Sequence, residues 1–151
     1  MWPFKKHLSL DDLNDDNDMW SVLQGTTENG PMLVRMNTSA KRWAKHPSLA
    51  IRVGFAIPLN HPNSNGFPAA DENAALNEIE TRILDDLRAS GPAVHVLTIT
   101  TGTFKEFVFY IQNGDSLKTI HEKLIADTPS HEVQCMAVHD PEWDVYASFS
   151  E

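Results

Sequence analysis

Apolar and polar residues along the chain alternate with two different periods, and the switches between them predict the elements. Leu76, Ile79, Ile83, Leu84 and Leu87 recur at helical spacing, which predicts one amphipathic helix over residues 72–90. Asp71 is placed to cap its start, and Gly91-Pro92 stops it. Leu117, Ile120, Leu124 and Ile125 repeat that spacing in a second helix, with Asp115 as its expected cap and Pro129 as its end. Glu78 and Arg82 are expected to form an exposed i,i+4 ion pair.

Elsewhere the period is two. Residues 19–25 and 31–38 read as strands joined by an Asn29-Gly30 turn, with Met32, Val34 and Met36 on one face and Leu33, Arg35 and Asn37 on the other. A short helical turn over 40–45 presents Trp43, and Pro47 ends it. Over 49–59, Val53, Phe55 and Ile57 alternate with Arg52, Gly54 and Ala56, and Pro58 limits the far end. Residues 60–70 form a long surface loop, the kind of segment where function tends to sit. Strands over 93–101 and 104–112 form a hairpin about Gly102. Strict alternation there puts Val94, Val96, Thr98 and Thr100 on one face and His95, Leu97 and Ile99 on the other. In the partner strand Phe107, Phe109 and Ile111 oppose Val108 and Tyr110. A last strand covers about 132–138, and an aromatic tail follows with Trp143, Tyr146 and Phe149.

The order ββ–β–α–ββ–α–β predicts an α+β fold, a two-layer sandwich with a mostly antiparallel sheet. Residues 49–138 have the element order of a ferredoxin-like βαββαβ core, with two extra N-terminal strands extending or covering one edge. We expect residues 1–18 to be a flexible acidic segment and 19–151 to be a single domain.

Composition narrows the function classes. Among 151 residues, 12 Lys and Arg stand against 21 Asp and Glu, a net charge of −9. A phosphate-backbone binder concentrates cations, so nucleic acid is not an expected partner. Lys5 and Lys6 against the five Asp of residues 1–18 place −3 of that charge in the leading segment, leaving −6 for the rest. No apolar run approaches the ~18 residues of a membrane span. The lysines follow Trp2 and Phe4 rather than preceding an apolar stretch, which argues against an export signal and for the cytoplasm. A membrane-touching tip at Trp2 and Phe4 would have little area or charge to hold it. The single Cys135 excludes an internal disulfide framework.

No motif identifies a reaction. His131, Cys135 and His139 are four apart, but on a strand that spacing separates them by ~13 Å, too far to share a metal ion. Cys135 lacks the flanking signature of a nucleophile, no G-x-S-x-G occurs, and the glycines are too scattered for a phosphate cradle. The helix carboxylates Glu72, Glu78, Glu80, Asp85 and Asp86 read as solvation, with acid–base work as the alternative. Arg35, Arg52 and His95 fall mid-strand: on an open sheet face they would make an anion-binding patch, under cover they would be paired structural groups. Trp143 and Tyr146 serve as packing anchors or as an aromatic contact for a partner.

Gly66-Phe67-Pro68 followed by Glu72, Leu76, Ile79 and Glu80 resembles the helix motif of the bacterial domain of unknown function DUF695. So does the hairpin set of Thr98, Thr101, Gly102, Glu106, Phe109 and Tyr110, and the terminal Asp140, Pro141, Trp143 and Tyr146. The resemblance implies no reaction. Some similar chains carry a second domain like a bacterial inhibitor of ribonuclease E, for which this sequence has no room. The expected function is therefore a non-enzymatic binding or regulatory module contacting another protein, with no cofactor or metal. The alternative is a small-molecule binder or enzyme whose site on the sheet face is lined by Arg52, His95 and Tyr110. A homodimer through a sheet face is compatible with both.

Overall fold

A computed structural model describes residues 9, 10, 13, 18–28, 30–63 and 66–149. Trp2 and Phe4, most of the acidic run and Asn29 of the first turn lie outside these residues. The elements are β1 (Trp20–Thr27), β2 (Gly30–Asn37), a 3₁₀ helix (Thr38–Trp43), β3 (Ile51–Pro58), α1 (Ala70–Ser90), β4 (Ala93–Thr101), β5 (Phe104–Ile111), α2 (Leu117–Asp127), β6 (Gln134–His139) and α3 (Asp144–Phe149). The fold is α+β. The strands form one six-stranded sheet in the order β1-β2-β4-β5-β3-β6, with every neighbouring pair antiparallel.

The helical stripe is buried as its spacing predicts. Leu76, Ile79, Ile83 and Leu87 of α1 pack with Ile120 and Leu124 of α2 onto Val53, Phe55, Ile57, Phe107 and Phe109. Each such side chain contributes ~1.5–3 kcal/mol by leaving water. The opposite sheet face carries a second apolar cluster, in which Trp43, Leu49, Trp143 and Tyr146 lie against Val34, Met36, Val94, Leu97, Val108 and Tyr110. Leu13 is buried in that cluster too. Much of the face opposite α1 and α2 is thus covered by the chain itself.

Three local expectations are corrected. Strict alternation fails in β4, where the register shifts between His95 and Leu97. The extra residue is a bulge, and beyond it each side chain changes face. His95, Thr98 and Thr100 therefore join the α1 side, while Val94, Leu97 and Ile99 join the second cluster. Neither expected cap forms: α1 starts after Ala69, with Asp71 inside its first turn, and α2 starts after Ser116, both without a side-chain cap. Arg82 donates to the Asp127 carbonyl at the end of α2 (3.1 Å) instead of pairing with Glu78. Cations favour that position, because a helix C-terminus carries partial negative charge.

Candidate functional site

The bulge in β4 decides what faces α1. Arg35 of β2 and Thr98 of β4 are register partners, and Thr100 pairs with Lys105 across the β4–β5 turn. On α1, Asn73, Asn77 and Glu80 fall at i, i+4 and i+7, one polar flank beside the buried stripe. Between that flank and the strands lies a cleft of about 340 Å³, lined chiefly by Leu33, Arg35, Phe67, Asn73, Thr100 and Lys105.

Lys105 is the unusual group. It shares the inward face of β5 with Phe107 and Phe109 and is only 6% exposed. Its ammonium donates to Asn73 Oδ1 (3.0 Å) and Asn77 Oδ1 (3.3 Å) and, among the described residues, has no carboxylate within ion-pair distance. Burial lowers its pKa, with the Glu80 charge opposing that and Arg35 adding to it. Arg35 donates to Glu80 Oε2 (2.8 Å) and to Thr98 Oγ1 (3.2 Å), and its guanidinium lies over the Trp20 ring at 5.0 Å. Thr98 in turn donates to Glu80.

The loop before α1 roofs the cleft because of one close approach. The Asn63 amide donates to the Gly102 carbonyl (2.7 Å), and a Cβ at Gly102 would collide with the Asn63 carbonyl oxygen. At the other end, Glu72 ties the loop to α1. Its carboxylate accepts from the backbone amides of Asn60 (2.7 Å) and His61 (3.1 Å), with His131 Nε2 at 2.8 Å. Burial acts to raise the Glu72 pKa, but these hydrogen bonds outweigh it and hold the carboxyl below its ordinary range.

The residues singled out from the sequence divide into two groups. Arg35 borders the cleft. His95 lies behind it, stacked on Phe109 with centroids 4.5 Å apart and with Nε2 donating to the Leu97 carbonyl (3.0 Å). Burial, reinforced by Arg35, pushes its pKa down to about 3, so the ring is neutral at ordinary pH. Arg52, Tyr110, Trp143 and Tyr146 meet on the opposite face. Asp140 accepts from Tyr110 (2.7 Å), Arg52 (3.2 Å) and the Asp144 amide (3.0 Å). Trp143 donates to the Leu49 carbonyl (2.8 Å), and Tyr146 to the Asn37 carbonyl (2.6 Å). Trp143 and Tyr146 are fully buried, and these polar atoms bond within the chain. Cys135 packs against the helix-side cluster, and burial pushes its thiol up to about 11, away from a reactive thiolate.

Sequence reading missed Lys105, Asn73 and Asn77. Two signals were present: a lysine in the inward phase of an aromatic strand, and two asparagines four apart beside an apolar stripe. Thr98 and Thr100 were assigned to the wrong companions, because a bulge leaves no mark in an alternating apolar run.

These features define an α+β domain built on a six-stranded antiparallel sheet, with a polar cleft on the helix side. The chain belongs to DUF695, a family of unknown function whose model matches residues 18–150. No curated protein and no solved structure matches it. The residues that carry the family resemblance fall in both places: Phe67, Pro68, Glu80 and Thr98 at the cleft, and Tyr110, Asp140, Trp143 and Tyr146 in the C-terminal network.

Proposed function

We propose that this domain is a non-enzymatic binding module of the bacterial cytoplasm with a regulatory role, and that it takes a small ligand in the cleft between α1 and strands β2, β4 and β5. The observation that carries this reading is Lys105, a buried ammonium held by two neutral amides at the wall of that cleft. Burying a cation without a paired anion costs stability, so a ligand that completes its shell recovers part of that cost. Strand order β4-β5-β3-β6 supports reading residues 49–138 as a ferredoxin-like core, with α1 and α2 on one face. A library of small polar compounds screened by amide chemical shifts is the test. Hits should move the signals of Thr98, Thr100 and Lys105. Hits confined to other surfaces, or none at all, would reject the cleft as the site.

The protein-partner reading draws on a different feature. Among the described residues strand β6 pairs only with β3, contains neither Lys nor Pro, and exposes Met136 (59%) and Val138 (39%). Such an edge lacks the usual protection against a further strand, whether from another protein or from a second copy. Sedimentation at increasing concentration, with Met136→Lys as the control, separates self-association from a monomer.

A further inference from the structure

We infer that the occupant of the cleft is a small organic monoanion, a carboxylate on an apolar body; the inference rests on the ligand-binding reading above. The first argument is the balance of donors and acceptors. Glu80 Oε2 already accepts from Arg35 and Thr98, and the side-chain carbonyls of Asn73 and Asn77 already accept from Lys105. Apart from Glu80 Oε1, what these side chains retain is chiefly donor capacity: a third ammonium N–H, two amide NH₂ groups and the remaining guanidinium N–H groups. A neutral occupant rich in its own donors would leave them unmatched, whereas a carboxylate accepts from several at once.

Charge gives the second argument. Arg35 and Lys105 against Glu80 leave the cleft one unit positive, within a chain of net charge −9. A monoanion neutralises that excess. A dianion such as a phosphate monoester would overshoot it beside Glu80. The third argument is the wall itself, where Leu33, Phe67 and Pro68 offer apolar surface next to the donors. A volume of about 340 Å³ is at the small end for a ligand pocket, which limits the body to a few carbons or one ring.

Three probes sharing one ring separate these arguments: phenylacetate, phenylacetamide and phenyl phosphate, each titrated against the full chain and followed by amide chemical shifts. Phenylacetate is expected to move the Asn73, Thr100 and Lys105 signals, and phenylacetamide to bind at least about tenfold more weakly, the usual worth of a hydrogen bond to a charged group. Lys105→Met should weaken phenylacetate by a similar factor. Thr100→Val, which deletes one hydroxyl from the wall, carries the test if that variant does not fold. Equal binding of the acid and the amide would overturn the anion while leaving a ligand cleft standing. Tighter binding of phenyl phosphate would overturn the choice of a monoanion. Cleft signals unmoved by all three would overturn the inference, and the wider reading falls with it only if the compound library is silent there as well.

Discussion

Trp143 lies flat on Tyr110, with ring centroids 4.0 Å apart and planes 7° from parallel. Tyr146 meets the same indole edge-on at 5.5 Å. Trp143 reaches this position with a backbone φ of +57°, a left-handed conformation that costs a non-glycine residue ~1–2 kcal/mol. The stack, the bond to Leu49 and the Asp140 hub hold it there. Aspartate, tryptophan and tyrosine near the C-terminus thus work as a clasp that closes α3 over the sheet face opposite α1.

Cutting the clasp should therefore cost stability and spare the cleft. Trp143→Ala removes the stacked ring and the indole donor together, and we expect a loss of ~3–5 kcal/mol, read from the urea midpoint. Trp143→Phe keeps a ring on Tyr110 and should lose less. Amide signals of Thr100 and Lys105 should stay in place in Trp143→Phe; their displacement would mean that the two sheet faces are coupled.

Acid should loosen the fold at two carboxylates. Burial acts to raise the pKa of Asp140, but hydrogen bonds from the Asp144 amide, Tyr110 and the Val145 amide, together with Arg52, bring it below the ordinary 3.8. Glu72 lies below its ordinary 4.5 for the reasons given above. A depressed carboxyl contributes stability above its unfolded pKa and loses it as pH falls through the folded one. Melting temperature should drop steeply below about pH 4. In Asp140→Asn and Glu72→Gln the baseline should be lower and the acid limb shallower. An unchanged acid slope in both variants would remove these groups from the explanation.

The helices α1 and α2, the strand order along the chain and the aromatic core were legible because each rests on local periodicity: the stripe from Leu76 to Leu87 can bury only as a helix, whereas the short α3 was read only as an aromatic tail. The clasp was half legible, since Trp143 and Tyr146 stood out as anchors, but Asp140 entered only through the family resemblance, with no role of its own. The cleft was not legible. It depends on Lys105, Thr98 and Asn73, drawn from three elements and brought together by strand pairing and by one bulge at Val96 that alternation does not reveal. Mid-strand charges such as Arg35 and Arg52 look alike in sequence, yet the sheet sends them to opposite faces.

A different pH range isolates His95. Burial, then the Arg35 charge, pushes it down to about 3 from an ordinary 6.5. The unfolded chain takes up this proton near pH 6.5 and the folded chain does not, so folding loses stability as pH falls from 6.5 towards 3. His95→Phe has no such proton to gain. Its melting temperature should be flatter between pH 7 and pH 5 than that of the wild type, even if lower overall. Parallel curves would show that His95 is not held neutral by its surroundings.

Gly102 links the fold to the cleft. Any Cβ there meets the carbonyl of Asn63, which is backbone and cannot rotate away as a side chain would. Gly102→Ala must then shift either the β4–β5 turn or the loop, and the turn is fixed by hydrogen bonds from the Thr103 and Phe104 amides to Thr101 Oγ1. The loop should give way, carrying Phe67 and Pro68 off the cleft at a cost of ~1–3 kcal/mol, as for other forced overpacking. Hydrogen exchange should quicken at the Leu59 and Asn63 amides, which donate to the Thr103 and Gly102 carbonyls, while the buried amides of β3 and β5 keep their protection. If exchange quickened in β5 instead, the strain would have entered the sheet, and the loop would be no independent roof for the site.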